Sequence, residues 1–196
     1  MDRIIKDLNY HGEAYYISPY PKDVYLPEHL RGLKEMVVFL SAEPNSSMPS
    51  IEELSKSTFL LENNKGILVS PPGLGMLTKI EAKLGKETSK AVINELCETL
   101  PRVICDDLSL AKEATLLSKE NEVNLRIYDS IYKSLYNKED KLKSVTLLGS
   151  PIVSALAGAI AKSTGKPVTI RKLRISSDGA ALDVNYHILE SGERKE

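Results

Sequence analysis

From Pro151 to Ala161 the chain reads Pro-Ile-Val-Ser-Ala-Leu-Ala-Gly-Ala-Ile-Ala, with no charge before Lys162. Proline is tolerated in the first turn of a helix and Gly165 is placed to end one, so the stretch predicts a helix over 151–163. Ile152, Val153, Leu156 and Ile160 supply its bulk. Burying those four side chains is worth roughly 6 to 12 kcal/mol at about 1.5 to 3 kcal/mol each, an upper bound against an extended chain. The other faces carry Ala155, Ala157, Gly158, Ala159 and Ala161, and a helix apolar all round is buried on all sides. The fold must therefore place a sheet on one side of it. A second layer, a subunit or a ligand must lie close along the other.

The sequence around this helix supplies such a sheet. Ala114 and Leu116, then Val123, Leu125 and Ile127, alternate with Thr115, Asn124 and Arg126 across the polar turn Lys119-Glu120-Asn121, which is the pattern of a hairpin covered on one face. Val168–Ile175 and Ala180–Leu189 read as a final hairpin turning at Asp178-Gly179. Val168 and Ile170 share one phase while Leu173 and Ile175 share the other, so a bulge is expected near Lys172. Leu74, Leu77, Ile80 and Leu84 fall at helical spacing before Gly85. A second helix is expected from Lys86 to Leu100 with Val92, Ile93, Leu96 and Leu100 inward, ended or kinked at Pro101. Ser130–Asn137 reads as a short helix and Asn137–Lys143 as a solvated charged loop.

Residues 1–70 differ in character. Tyr10, Tyr15, Tyr16, Tyr20 and Tyr25 are interspersed with Pro19, Pro21, Pro27, Pro44 and Pro49, so extended chain and short turns are expected there, with the tyrosine rings covering a neighbouring core or, alternatively, forming a ligand or partner surface. Lys34–Ser41 reads as a strand, and Thr58–Glu62 with Gly66–Ser70 as a hairpin turning through Asn63, Asn64 and Lys65. The fold class is thus α/β in the α+β sense: an antiparallel sheet of hairpins packed against a few helices, with a Pro/Tyr-rich N-terminal extension. The expected division is 1–70 as the extension, 71–190 as the body and 191–196 as a disordered tail.

Charge and motifs exclude more than they nominate. With 26 basic and 27 acidic side chains in 196 residues, a general grip on nucleic acid or anionic membrane is not expected. No membrane span is expected, because Lys162 ends the longest apolar run, and the start of the chain lacks the apolar core of a secretion signal. Cys97 and Cys105 are eight positions apart, neither a zinc nor a redox spacing, which fits reduced cysteines in a cytoplasmic protein. His11, His29 and His187 have no ligand-spaced neighbours, and His187 falls on the polar phase of its strand. No metal and no cofactor is expected. Gly149-Ser150-Pro151 lacks the second glycine of a nucleophile elbow, and Gly165-Lys166-Pro167 lacks the first glycine and the hydroxyl residue of a phosphate loop. Ser150 and the Asp106-Asp107 pair remain the candidates for a hydrolase-type enzyme.

Leu108-Ser109-Leu110-Ala111 before the first hairpin, Val123 to Asp129 with Ser130, Gly149 to Ala161, and Gly165-Lys166-Pro167-Val168 with its strands form an ordered set. In that order, residues 71–190 resemble the 4-vinyl reductase-type small-molecule-binding domains, a superfamily that also takes in TRAPP trafficking subunits and haem nitric-oxide-binding domains. The resemblance implies helices against an antiparallel sheet, a frequent dimer, and a mostly apolar pocket between helices and sheet. Cysteines found near the last hairpin of several such domains are absent from Arg174–Gly179, so metal and redox sensing are not carried over. The resulting expectation is a non-enzymatic cytoplasmic domain that binds a small apolar or amphipathic ligand as sensor or carrier, as a homodimer. Ser154 and Gly158 would form the pocket wall, with Tyr128 and Tyr132 near its mouth. The alternative is a protein-interaction or assembly subunit in which the same helix packs tightly and leaves no cavity.

Overall fold

A computed structural model describes residues 1–19, 33, 35–44, 46, 48–50, 53, 54, 56, 58–61, 65–136 and 142–190. Seven strands form one sheet: β1 Ala14–Ile17, β2 Val37–Ser41, β3 Gly66–Val69, β4 Glu113–Lys119, β5 Glu122–Tyr128, β6 Val168–Ile175 and β7 Ala181–Ile188. Their order is β3-β2-β1-β6-β7-β5-β4, and every neighbouring pair is antiparallel. The α+β class follows directly. The three strands from residues 14–69 join the same sheet as the rest, through β1 on β6.

The helices are α1 Asp2–Asp7, α2 Leu74–Leu84, α3 Ile93–Arg102, α4 Lys143–Leu148 and α5 Pro151–Thr164. α5 lies against β1, β6 and β7, α2 lies on α5, and α3 covers β4. Every residue from Ile152 to Ala161 is buried, so the all-round apolar helix is enclosed on all sides as its composition requires. Gly165 takes the left-handed conformation at its C-terminus (φ 65°), and its N–H caps Ala161 O. By length and hydropathy Lys143–Thr164 would reach across a bilayer, contrary to the expectation that no such run exists. Gly149 (φ 71°) breaks it into α4 and α5, and most of it is buried among the other elements, which accounts for its apolar character.

The two faces of the sheet hold two cores. Tyr16, Val38, Leu40, Ile67, Val123, Leu125, Ile127, Val168, Leu182, Val184 and Tyr186 meet the helices. The opposite face carries a smaller cluster of Tyr15, Phe39, Leu54, Leu61 and Leu68, in which the Tyr15 and Phe39 rings stack at 5.9 Å. Tyr10, Tyr15 and Tyr16 are therefore core-covering residues; Tyr20 and Tyr25 lie outside the described residues. The same cluster explains a correction. His187, expected on a solvated face, is only 7% exposed. Its phase is the polar one of β7, but it shares a cross-strand row with Thr169, Tyr15, Phe39 and Leu68, and that end of the outer face is covered.

The bulge appears where the phase change placed it, between Ile170 and Lys172, and restores Leu173 and Ile175 to the inward phase opposite Val184 and Leu182. Other expectations need correction. The helix predicted from Lys86 is a 3₁₀ turn, Thr88–Lys90, followed by α3 from Ile93, and Val92 is 69% exposed just before it. The cause is Glu81, whose carboxylate accepts both the N–H and the hydroxyl of Thr88 and pins a separate turn. α3 then runs through Pro101 into a π turn, Val103–Asp107. The helix expected at Ser130–Asn137 is only a 3₁₀ turn, Lys133–Tyr136, with Ile131 exposed. Thr58–Glu62 forms no strand among the described residues; Leu60 makes a single bridge to Ile67. The charged loop 137–143 lies outside the described residues up to 141, and Lys143 begins α4.

Candidate functional site

The start of α5 is held by three tyrosine hydroxyls. Tyr16 donates to Leu148 O (2.5 Å), Tyr186 donates to Val153 O (3.0 Å), and Tyr136 accepts the N–H of Ser150 (2.9 Å). Burial raises all three phenols above their ordinary value; the Ser154 hydroxyl pulls Tyr16 part of the way back. Ser150, the candidate nucleophile, is thus the buried N-cap residue of α5, and its carbonyl accepts the N–H of Ser154. Asp106 and Asp107 sit apart from it, exposed at the end of the π turn after α3.

The small-residue face of α5 receives α2. The N–H of Gly73 donates to Ser154 Oγ at 2.9 Å, and a Cβ on Gly73 would stand 2.2 Å from Ala155 N and 2.4 Å from Pro151 O. Backbone meets backbone there. At Gly158 a Cβ would meet Met36 Sδ at 2.8 Å and Leu77 Cδ2 at 3.2 Å. Ser154 and Gly158 are therefore brought together on one face, and Gly73, Met36 and Leu77 fill the space along it. Tyr132 is half-buried against the main core. Tyr128 is 44% exposed and shares the phase of Glu122, Asn124 and Arg126, on the sheet face turned away from α5. The alternation of β5 already carried that information, since Val123, Leu125 and Ile127 are its inward set.

Open space is found at the other end of α5. A cleft of about 500 Å³ runs between the 3₁₀ turn and first residues of α3, the β4–β5 turn and the chain leaving α5. Ala91, Val92, Ile93 and Ile188 form its apolar wall. Lys90, Lys166, Asn121, Ser163 and Thr164 are among its polar lining. Its frame is bonded across elements by Ser163 Oγ, which donates to Ala91 O (2.6 Å), and by Ile188 N, which donates to Asn121 O (2.8 Å), while Thr164 Oγ1 donates within α5 to Ile160 O (2.8 Å). The Lys166 ammonium lies 4.0 Å from the Glu190 carboxylate.

Behind the cleft, one oxygen of Glu81 accepts from Thr88 N (2.8 Å), Thr88 Oγ1 (2.8 Å) and Lys162 Nζ (2.6 Å), tying α2, the 3₁₀ turn and α5 together. Burial opposes the charged form of Glu81, but the Lys162 and Thr88 donors outweigh it and hold the carboxyl below its ordinary range. Glu81 and Thr88 did not stand out in the sequence. Thr88 and Glu81 lie seven apart without a motif, and the exposed Val92 could be found only once α3 was known to start after it.

No curated protein and no solved structure matches the chain. A family model described as a domain of unknown function, DUF7982, matches residues 20–187, from within the Pro/Tyr-rich segment to the end of the last strand. With its match spanning most of the sheet and all of α2 to α5, the chain belongs to the DUF7982 family.

Proposed function

We propose that the protein is a non-enzymatic cytoplasmic binding domain that takes a small amphipathic molecule in the cleft beyond the C-terminal end of α5. The observation that carries this reading is the composition of that cleft: an apolar wall of Ala91, Val92, Ile93 and Ile188 beside a polar lining that holds two lysines, Lys90 and Lys166, and one carboxylate residue, Glu120. A ligand with an apolar body and an anionic or polar end would satisfy both, which is the usual division of labour in a small-molecule site. The resemblance to 4-vinyl reductase-type domains supports a binding role of the same kind. On this reading the site is displaced from Ser154 and Gly158, whose surroundings are occupied by α2 and Met36.

Titration with 8-anilinonaphthalene-1-sulfonate, an aromatic sulfonate of suitable character, tests the reading. Saturable binding at one site is expected, weakened about tenfold by Val92→Asp and further by adding Lys166→Glu. Both side chains are solvent-accessible, so folding is not at stake. Equal binding by the parent and the double variant would refute the cleft as the site.

The close packing of α2 on α5 favours a second reading, an interaction or assembly subunit without a ligand. Native mass spectrometry of freshly purified protein separates the two: retained small-molecule mass supports the first, and a bare chain or bare oligomer the second.

A further inference from the structure

The cleft beyond α5 carries charge of both signs. Lys90 and Lys166 line it, and so does Glu120, in the turn between β4 and β5. Among the described residues neither Lys90 nor Glu120 forms an ion pair, and the Lys166 ammonium has the Glu190 carboxylate at 4.0 Å. Opposite charges thus share one cleft without meeting. Glu120 also holds φ at 53°, in the left-handed region that favours glycine. Strain of this kind gathers at ligand sites, and here it keeps a carboxylate at the cleft where a residue without a side chain would suit the backbone better.

The end of α5 adds to the negative side. Ser163 and Thr164 belong to the lining, and the carbonyls of Lys162, Ser163 and Thr164 accept no hydrogen bond among the described residues. They close a fourteen-residue helix, whose C-terminal end favours a cation.

This mixture selects by charge. A fatty-acid-like anion would satisfy the two lysines but bring its carboxylate near Glu120 and the α5 carbonyls. An apolar amine would satisfy those and face two ammonium groups. A molecule with an ammonium and a carboxylate on one carbon, and an apolar chain beyond it, meets every part. Its ammonium is matched by Glu120 and the end of α5, its carboxylate by Lys90 and Lys166, and its chain by Val92, Ile93 and Ile188. The cleft, about 500 Å³, has room for it.

Building on the cleft as the binding site, we propose that its ligand is an apolar α-amino acid in the zwitterionic form.

Isothermal titration calorimetry of the full chain at neutral pH tests this with L-leucine, with isocaproate, which is leucine without the ammonium, and with isopentylamine, which is leucine without the carboxylate. Leucine is expected to bind at one site about tenfold or more tighter than either half-molecule, as one lost charge-assisted hydrogen bond requires. Glu120→Gln lowers leucine to the affinity of isocaproate and leaves isocaproate no weaker. Lys90→Gln/Lys166→Gln does the converse, lowering leucine and sparing isopentylamine. Lys90 and Glu120 are exposed and Lys166 is half-buried, so both variants keep the parental far-ultraviolet circular dichroism. A half-molecule that binds as tightly as leucine overturns the proposal, as does leucine binding that both variants leave at parental strength. If the anilinonaphthalene sulfonate binds and leucine neither binds nor displaces it, the ligand class is wrong and the cleft stands. If the dye does not bind either, the cleft falls and the proposal with it.

Discussion

Gly73→Ala probes why α5 is made of small residues. The added methyl carbon would be placed 2.2 Å from Ala155 N, 2.4 Å from Pro151 O and 2.8 Å from Ala155 Cα, all backbone atoms of a buried helix. No rotamer relieves that overlap, so α2 must move away from α5 by an ångström or more. Overpacking of a close contact costs typically about 1–3 kcal/mol. Displacement also stretches the bond from Gly73 N–H to Ser154 Oγ, and a buried donor left unmade costs about 1–3 kcal/mol. The sum is about 2–6 kcal/mol, a large share of the roughly 5–15 kcal/mol that holds a domain folded.

Gly158→Ala is the control, on the same helix face. Its Cβ meets Met36 Sδ at 2.8 Å, the flexible end of a side chain with three rotatable bonds, which can swing aside. Alanine also favours a helix interior by about 0.8–1 kcal/mol over glycine. The two effects oppose each other, and a net change within about 1 kcal/mol is expected. Urea unfolding followed by far-ultraviolet circular dichroism measures both, with a lowered midpoint and unchanged slope for Gly73→Ala. If Gly73→Ala proves as mild as Gly158→Ala, the direct seating of α2 on α5 is wrong, and the small residues of α5 need another explanation.

Other perturbations have definite signs. Glu81→Ala removes the oxygen shared by Thr88 and Lys162 and should cost about 2–4 kcal/mol in the same assay, because two Thr88 donors and a mostly buried ammonium lose their acceptor. Since the folded carboxyl lies below its ordinary value, its contribution is complete above about pH 4.5 and fades as pH falls further, so Glu81→Gln should flatten the loss of stability on acidification. The buried phenols act in the opposite direction. Tyr16 and Tyr186 are raised above 10, so the fold is indifferent to their ionisation below pH 10 and destabilised above it. Tyrosinate absorbance at 295 nm should therefore rise for these residues only together with unfolding, and Tyr16→Phe, which leaves Leu148 O without its donor, should cost about 1–3 kcal/mol.

Much of the sheet and of α5 was legible because local rules and tertiary demand agreed. Pro151 and Gly165 mark the ends of α5, its composition requires burial on every side, and the phase change between Ile170 and Leu173 locates a bulge without any knowledge of β7. What failed depends on contacts distant in sequence. Val92 belongs to the apolar stripe of α3 by spacing alone, but Glu81 holds Thr88 in its own turn and starts the helix too late to include it. His187 reads as solvated by alternation because nothing in residues 168–189 announces a second core on the outer face; that core is built from Tyr15, Phe39, Leu54, Leu61 and Leu68. The candidate site failed for a related reason. Small residues signal a close approach without saying whether a ligand or another part of the chain makes it.

That ambiguity has a structural consequence for where binding can occur. A helix of alanine and glycine is thin, so its neighbours are drawn within backbone contact along the middle, as at Gly73 and Ala155. At its C-terminal end the residues change to Lys162, Ser163 and Thr164, whose polar groups bond outward to Glu81, Ala91 and back to Ile160 rather than packing against a further layer. The elements that converge along the middle of α5 therefore diverge beyond it, and the cleft opens where the chain runs on to Lys166. A closed middle and an open end are two results of one change in side-chain chemistry. Enlarging the middle, as Gly73→Ala does, should loosen the frame that shapes the end and weaken dye binding there, whereas Gly158→Ala should leave it unchanged. Binding lost in both variants, or in neither, would separate the cleft from the packing of α2 on α5.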